Sequence, residues 1–290
     1  MRLIVFSNVS LRKDSTSLYF IRAFQKLLGE SNVCHIESLS DLQALQGGEA
    51  DHYIKIDDGQ SWQTWNPKLH PSTYYVIDSH IETDWRLKTA KEGQFDNIFV
   101  AQKEGLSLPW HTENKWWVPV GAELDSHFVG ARPKKYDVCF IGNFHSGYRE
   151  ARIEYVHELF KAFPSFYFSS NSRFFKELAE KHAQTRIVFN KSLNGDINMR
   201  FFEGICSGSA LLTDRNVNLA ELGFRDGLDY IGYDSIEEMK EKATFYLKHE
   251  DLRERIASDG MQFVHDNHTY DHRAKQILEH CMITGAKQNG

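Results

Sequence analysis

A carboxylate on a short helix, entered from a polar loop, is the combination in this sequence best suited to chemistry. Residues 189–214 read FNKSLNGDINMRFFEGICSGSALLTD. The apolar run from Arg186 to Phe189 reads as a strand, and a polar loop containing Gly195 follows it. Ile197, Phe201 and Ile205 recur every four residues, which predicts a helix carrying Glu203. Ser207 and Gly208 stop that helix, and Ala210 to Thr213 reads as a buried strand. A loop feeding a helix N-terminus at the carboxyl edge of a parallel sheet presents backbone N–H groups to an anion. An acidic side chain close by suits a ribose diol. Together these features suggest a bound nucleotide diphosphate.

The elements that must position this stretch follow a βα rhythm. Leu3 to Phe6, Val33 to Ile36, His52 to Ile56, Tyr74 to Ile77, Asp96 to Val100 and Trp116 to Pro119 read as strands. A helix capped by Asp14 or Ser15 carries Leu18, Ile21, Phe24 and Leu28 at helical spacing and ends at Gly29. Residues 121–135 combine Gly, Pro and charge without apolar periodicity, and are expected to be a linker. The rhythm then restarts with Tyr136 to Ile141, and a last helix is expected from Tyr270 to about Ile283, with a frayed tail GAKQNG. Strands alternating with helices imply an α/β protein of two Rossmann-like halves facing each other across a cleft. The predicted organisation is an N-terminal domain at 1–130, a nucleotide-binding domain at 131–268, and a C-terminal helix at 269–290 packing back on the first.

Bulk properties narrow the function classes. At 290 residues and 41% hydrophobic content the chain can build two cores. A net charge of −6 argues against a non-specific nucleic-acid binder. No apolar run approaches the roughly 18 residues of a membrane span, and MRLIVFSNVS reads as a first strand rather than a signal peptide. Cys34, Cys139, Cys206 and Cys281 are far apart and form no CxxC pair, as expected of free thiols in a reducing cytoplasm. Trp62, Trp65, Trp110, Trp116 and Trp117 fall in loop-like surroundings, where they could wall a sugar or base site or cover a core edge.

Asn198-Met199-Arg200-Phe201-Phe202-Glu203-Gly204, followed by Cys206 to Asp214, resembles the donor-domain core of GT-B glycosyltransferases. The resemblance is strongest to the subgroup related to the spore-maturation protein CgeB, the glycosyltransferase family 1 C-terminal type. Asp137 to Asn143, Glu237-Glu238, Tyr246 to Glu250, Ile256 to Gly260 and His268 to Arg273 continue it in the same order. It covers about residues 136–278. It implies a glycosyltransferase that moves a sugar from a UDP-, GDP- or TDP-linked donor to an acceptor hydroxyl or similar group, without metal or other cofactor. A nucleotide-sugar epimerase, or a non-catalytic nucleotide-binding protein on the same fold, is the alternative.

The resemblance also assigns roles. Glu203 aligns with the glutamate that accepts from the donor ribose hydroxyls; the other reading is an exposed helix Glu. Asn198, Met199 and the preceding loop would present N–H groups to the diphosphate. Arg200 would neutralise it or pair with a carboxylate, and Lys191 is a weaker candidate for the same work. Gly142 and Asn143 would form a second backbone nest, with Arg149 or Arg152 supplying a cation or a surface ion pair. Many retaining members carry another glutamate eight residues before the ribose glutamate; here that position is Gly195. For an acceptor-side base, Asp78 and His80 stand just past a predicted strand, where a carboxylate and an imidazole can share a proton, or cap a helix. Asp57, Asp58 and His145 are further candidates. His265, His268 and His272 are spaced like helix-borne metal ligands, but a helix break at 267–269 favours a structural corner.

Overall fold

The computed structural model describes residues 1–10, 15–44, 49–57, 59, 65–142, 144, 150–170 and 174–288. Of the residues named above, Asp14, Asp58, Trp62, Asn143, His145 and Arg149 lie outside that set. The chain divides into two compact units, Met1–Val120 with Tyr270–Gly290, and Gly121–Thr269.

In the first unit β1 (Leu3–Phe6) leads into α1 (Thr16–Leu28), then β2 (Val33–Ile36), α2 (Leu39–Ala44), β3 (His52–Ile56) and β4 (Ser72–Val76). The helix α3 (Thr83–Gly93) and the strands β5 (Asn97–Val100) and β6 (Lys115–Trp117) follow. All pairings are parallel, in the order β2-β1-β3-β4-β5-β6. β1, β3, β4 and β5 are buried along their whole length, which is why apolar and aromatic residues dominate them, although the polar His52, Lys55, Ser72, Thr73 and Asn97 are buried with them. Ser15 caps α1 by accepting from the Leu18 N–H, and Gly29 closes it at φ 89°, a backbone shape that side chains disfavour. Two of the tryptophans serve this core: Trp110 is buried and donates to the Gly105 carbonyl, and Trp65 packs between Phe6 and Phe95.

The second unit opens with α4 (Leu124–His127), then β7 (Tyr136–Ile141), α5 (Glu150–Ala162), β8 (Phe166–Ser169), α6 (Phe175–Ala183) and β9 (Thr185–Asn190). After these come α7 (Met199–Cys206), β10 (Ala210–Asp214), α8 (Asn218–Glu221), β11 (Ile231–Tyr233), α9 (Ile236–Lys248) and α10 (Glu250–Asn267). Its sheet is again parallel, in the order β11-β10-β9-β7-β8. Phe140, Ile187, Phe189, Leu212 and Tyr233 fill its core with apolar faces of α5, α9 and α10. Residues 121–135 are not a free linker. The Ala122 N–H donates to the His268 carbonyl, and Ser126 and His127 of α4 are buried. Apolar periodicity missed this helix because its buried face is polar.

The last helix, α11 (Tyr270–Gln288), belongs to the first unit. Tyr270 stacks on Tyr19 and Phe20 of α1, and Lys26 pairs with Asp271. The helix runs past the expected end at Ile283, through Gly285, to Gln288.

Candidate functional site

Strand order reverses between β7 and β9, and the carboxyl ends of those two strands frame the second unit's crevice. Arg200, in the first turn of α7, spans them. Its Nε donates to the Ile141 carbonyl at the end of β7 (2.8 Å), and its Nη1 to Asn190 Oδ1 at the end of β9 (3.3 Å). The guanidinium lies over the Phe140 ring, 4.7 Å from its centroid. Gly142 makes this possible, since a Cβ there would run into Arg200 Nη2. The Gly142 N–H donates to the Ser169 carbonyl (3.0 Å) and is engaged in the sheet.

The loop between β9 and α7 is held from inside. Asp214, at the end of β10, accepts from Lys191 Nζ (2.9 Å), from the Ser192 N–H (2.8 Å) and from the Ser192 hydroxyl. Asp196 accepts from the Leu193 N–H (2.6 Å). Arg152 is buried and donates through Nε to the Lys191 carbonyl (2.8 Å). Asn198 caps α7 by accepting from the Phe201 N–H (3.2 Å). Arg152, Lys191, Asn198, Met199 and Arg200 therefore converge on one strand edge, with the first two shaping the loop. Gly195 sits at φ 77° beside Asn194 at φ 50°. That tight turn, rather than lack of space, explains glycine there, since nothing lies within 4 Å of its missing Cβ. Asn216 Nδ2 donates to the Gly195 carbonyl.

Glu203 is not an exposed helix residue. Its side chain is 11% accessible, and its Oε1 lies 3.8 Å from His127 Nε2. Burial holds His127 at a pKa of about 3, so the ring is neutral near pH 7. His182 on α6 is likewise held at about 3, by burial first and then by the Arg200 charge. The sequence reading missed His127, His182 and Asp214. Only Asp214 left a signal, as a carboxylate ending the apolar run of β10.

In the first unit Asp78 and His80 follow β4. Asp78 has φ 50°, an αL conformation that Asp and Asn tolerate, and its carbonyl accepts from the Ile81 N–H (2.9 Å). Both His80 ring nitrogens are buried without a hydrogen-bond partner among the described residues. Asp57, at the end of β3, is fully engaged. It accepts from Arg86 Nε (2.6 Å) and from the Gly59 N–H (2.8 Å). Burial pushes its carboxyl above the ordinary range while the Arg86 charge opposes the shift. His268 stacks on Phe224 and hydrogen-bonds the Leu222 carbonyl, and His265 packs on Phe128. Among the described residues no three His, Cys, Asp or Glu side chains group to hold a metal ion, and no helix is long and apolar enough to cross a membrane.

A family model described as "Glycosyl transferase-like" matches residues 132–279. No curated protein sequence matches the chain. Among solved structures, HepE of Anabaena, in complex with UDP and glucose, aligns over 96% of this chain and 99% of its own, at TM-score 0.67 and 12% identity. An α-glucosyltransferase in complex with UDP and a 13-mer DNA containing a HMU base aligns over 97% and 99%, at TM-score 0.67 and 11% identity. A glycosyltransferase from Rickettsia africae aligns over 98% of each chain, at TM-score 0.63 and 9% identity.

Proposed function

The chain belongs to the glycosyl transferase-like family, and from that premise we propose that its second unit binds a UDP-sugar donor and its first unit binds the acceptor. The fold is that of the GT-B glycosyltransferases. The observation that carries the donor assignment is the convergence at the β7/β9 crevice. The amino end of α7, the Arg200 guanidinium and the nearly buried Glu203 share one short helix there. The diphosphate faces the N–H groups of Asn198 and Met199 and the Arg200 charge, and Glu203 accepts from the ribose hydroxyls. A diphosphate leaving group stabilised by fixed dipoles and a guanidinium does not require a divalent ion, so the reaction is metal-independent in this reading. UDP is preferred over GDP and TDP because HepE and the α-glucosyltransferase are the relatives seen with UDP.

Asp78 is the base for the acceptor hydroxyl, and His80 is its neighbour in the same turn. Asp57 is not assigned that role because Arg86 occupies it. The four free cysteines fit a reducing compartment, and we place the protein in the cytoplasm on that ground.

Calorimetry with UDP on wild type and Glu203→Ala tests the donor half. The expected loss is ~1–3 kcal/mol, the scale of hydrogen bonds to a charged group. Unchanged affinity would remove Glu203 from the ribose. UDP binding with neither transfer nor donor hydrolysis, over a panel of donors and acceptors, would instead favour a nucleotide-binding protein, a reading that the absence of a carboxylate at Gly195 keeps open.

A further inference from the structure

We infer that His127 is a positioning residue for the nucleotide-binding carboxylate, its neutral imidazole N–H aiming Glu203 at the ribose. The inference rests on the assignment of Glu203 to the ribose. It starts from the tautomer. His127 closes α4, and its Nδ1 accepts the backbone N–H of Glu123 one turn earlier (3.0 Å). A nitrogen that accepts cannot carry the proton, so in the neutral ring the hydrogen sits on Nε2. Nε2 faces Glu203 Oε1 at 3.8 Å, which is inside the range of an electrostatic contact and longer than a hydrogen bond. The ring is 1% accessible, and its low pKa keeps it from becoming an imidazolium that would cancel the carboxylate charge.

The arrangement has a chemical logic. A glutamate on a helix has three rotatable side-chain bonds, and a ribose diol needs both carboxylate oxygens presented in one plane. A neutral donor beside one oxygen restricts the rotamer and leaves the negative charge, which strengthens the bonds from the ribose hydroxyls. A lysine or arginine in the same place would pair with Glu203 and compete with the ligand. His127 thus joins the donor site, although it lies outside the stretch matched by the family model.

The probes are UDP and 2′,3′-dideoxy-UDP, titrated calorimetrically into the full chain. Wild type is expected to prefer UDP by about tenfold or more, the value of hydrogen bonds to a charged group. In His127→Phe, which keeps the ring volume but has no N–H, that preference falls to within about threefold of unity, while affinity for the dideoxy nucleotide stays within about twofold. His127→Gln carries an amide N–H at similar reach and restores most of the preference. Equal weakening of both nucleotides in His127→Phe, or an unchanged preference in a folded variant, overturns the inference and leaves Glu203 on the ribose. Equal affinities of wild type for the two nucleotides overturn the ribose assignment itself, and the role of His127 with it. If His127→Phe does not fold, His127→Leu, which also has no N–H, decides: a preference more than about fivefold below wild type, with dideoxy-UDP affinity kept, supports the inference, and an unchanged preference or an equal loss of both affinities overturns it.

Discussion

The two units solve the same topological problem and use the result differently. Each is a parallel sheet whose strand order reverses once, between β1 and β3 in the first unit and between β7 and β9 in the second. The carboxyl ends at such a reversal leave a crevice that ligands commonly occupy. In the first unit the protein's own side chains take part of that edge, because Asp57 at the end of β3 is tied to the buried Arg86. In the second unit Arg200 bridges β7 and β9 from above, and its bonds to the Ile141 carbonyl and Asn190 aim it along the strand ends. The lesson is that sheet topology marks where a ligand can sit, while side-chain commitments decide whether it does. The first unit's proposed acceptor-side carboxylate is one strand outward, at Asp78 after β4.

The largest expected effect tests that division directly. Asp78→Asn keeps the shape, tolerates the positive-φ backbone and removes the proposed base. Transfer should fall by about 10²–10⁴-fold while UDP affinity is unchanged, as read from initial rates beside calorimetry. A loss of UDP affinity would mean that the first unit also holds the donor.

Acid should separate the units next. His127 and His182, in the second unit, are depressed from 6.5 to about 3, and His52, in the first, to about 4. The unfolded state binds protons at these positions below pH 6.5 while the folded state refuses them. Their contribution is therefore present above pH 6.5 and is lost as pH falls toward 3, by roughly 2 kcal/mol each at pH 4.5. Asp57 acts in the opposite sense. Its raised value lets the folded first unit hold a proton as pH falls below that value, which partly offsets His52. Amide exchange at pH 7 and 4.5 should show the second unit losing protection first; equal losses would break the comparison.

A smaller effect is expected at Gly142. An added Cβ meets the far end of Arg200, which must swing aside, and the rim of the buried Phe140 ring (3.0 Å), which must give slightly, so Gly142→Ala should lower the melting temperature by several degrees. UDP affinity should fall by about threefold to tenfold as the guanidinium leaves its place. If affinity holds, the Arg200 position seen here does not serve the nucleotide. The smallest expected effect is none: EDTA should leave transfer intact, and restoration by an added divalent ion would overturn the metal-free reading.

How much was legible in advance differs between the units for physical reasons. Central strands of a parallel sheet are buried on both faces, so β1, β3 and β7 were readable to the residue, and the edge strand β2 was readable from its short run between a helix end and the next helix. The α7 stretch was readable too, because its cap, its four-residue apolar repeat and its terminating Ser-Gly are local signals. Residues 121–127 were not. They carry no apolar period, and their burial depends on His268, 146 residues after Ala122 in the chain (268 − 122), whose carbonyl receives the Ala122 N–H.

Glu203 shows the same limit at the scale of one side chain. Its place on a helix beside a polar loop follows from residue order alone, because hydrogen bonding and apolar spacing within a few residues dictate it. That it is nearly buried, faces a neutral histidine and sits on the same short helix as Arg200's bridge between β7 and β9 could come only from the tertiary structure. Local sequence decides which groups a turn of helix carries. Which of them are desolvated, and by what neighbours, depends on segments brought together across more than fifty residues.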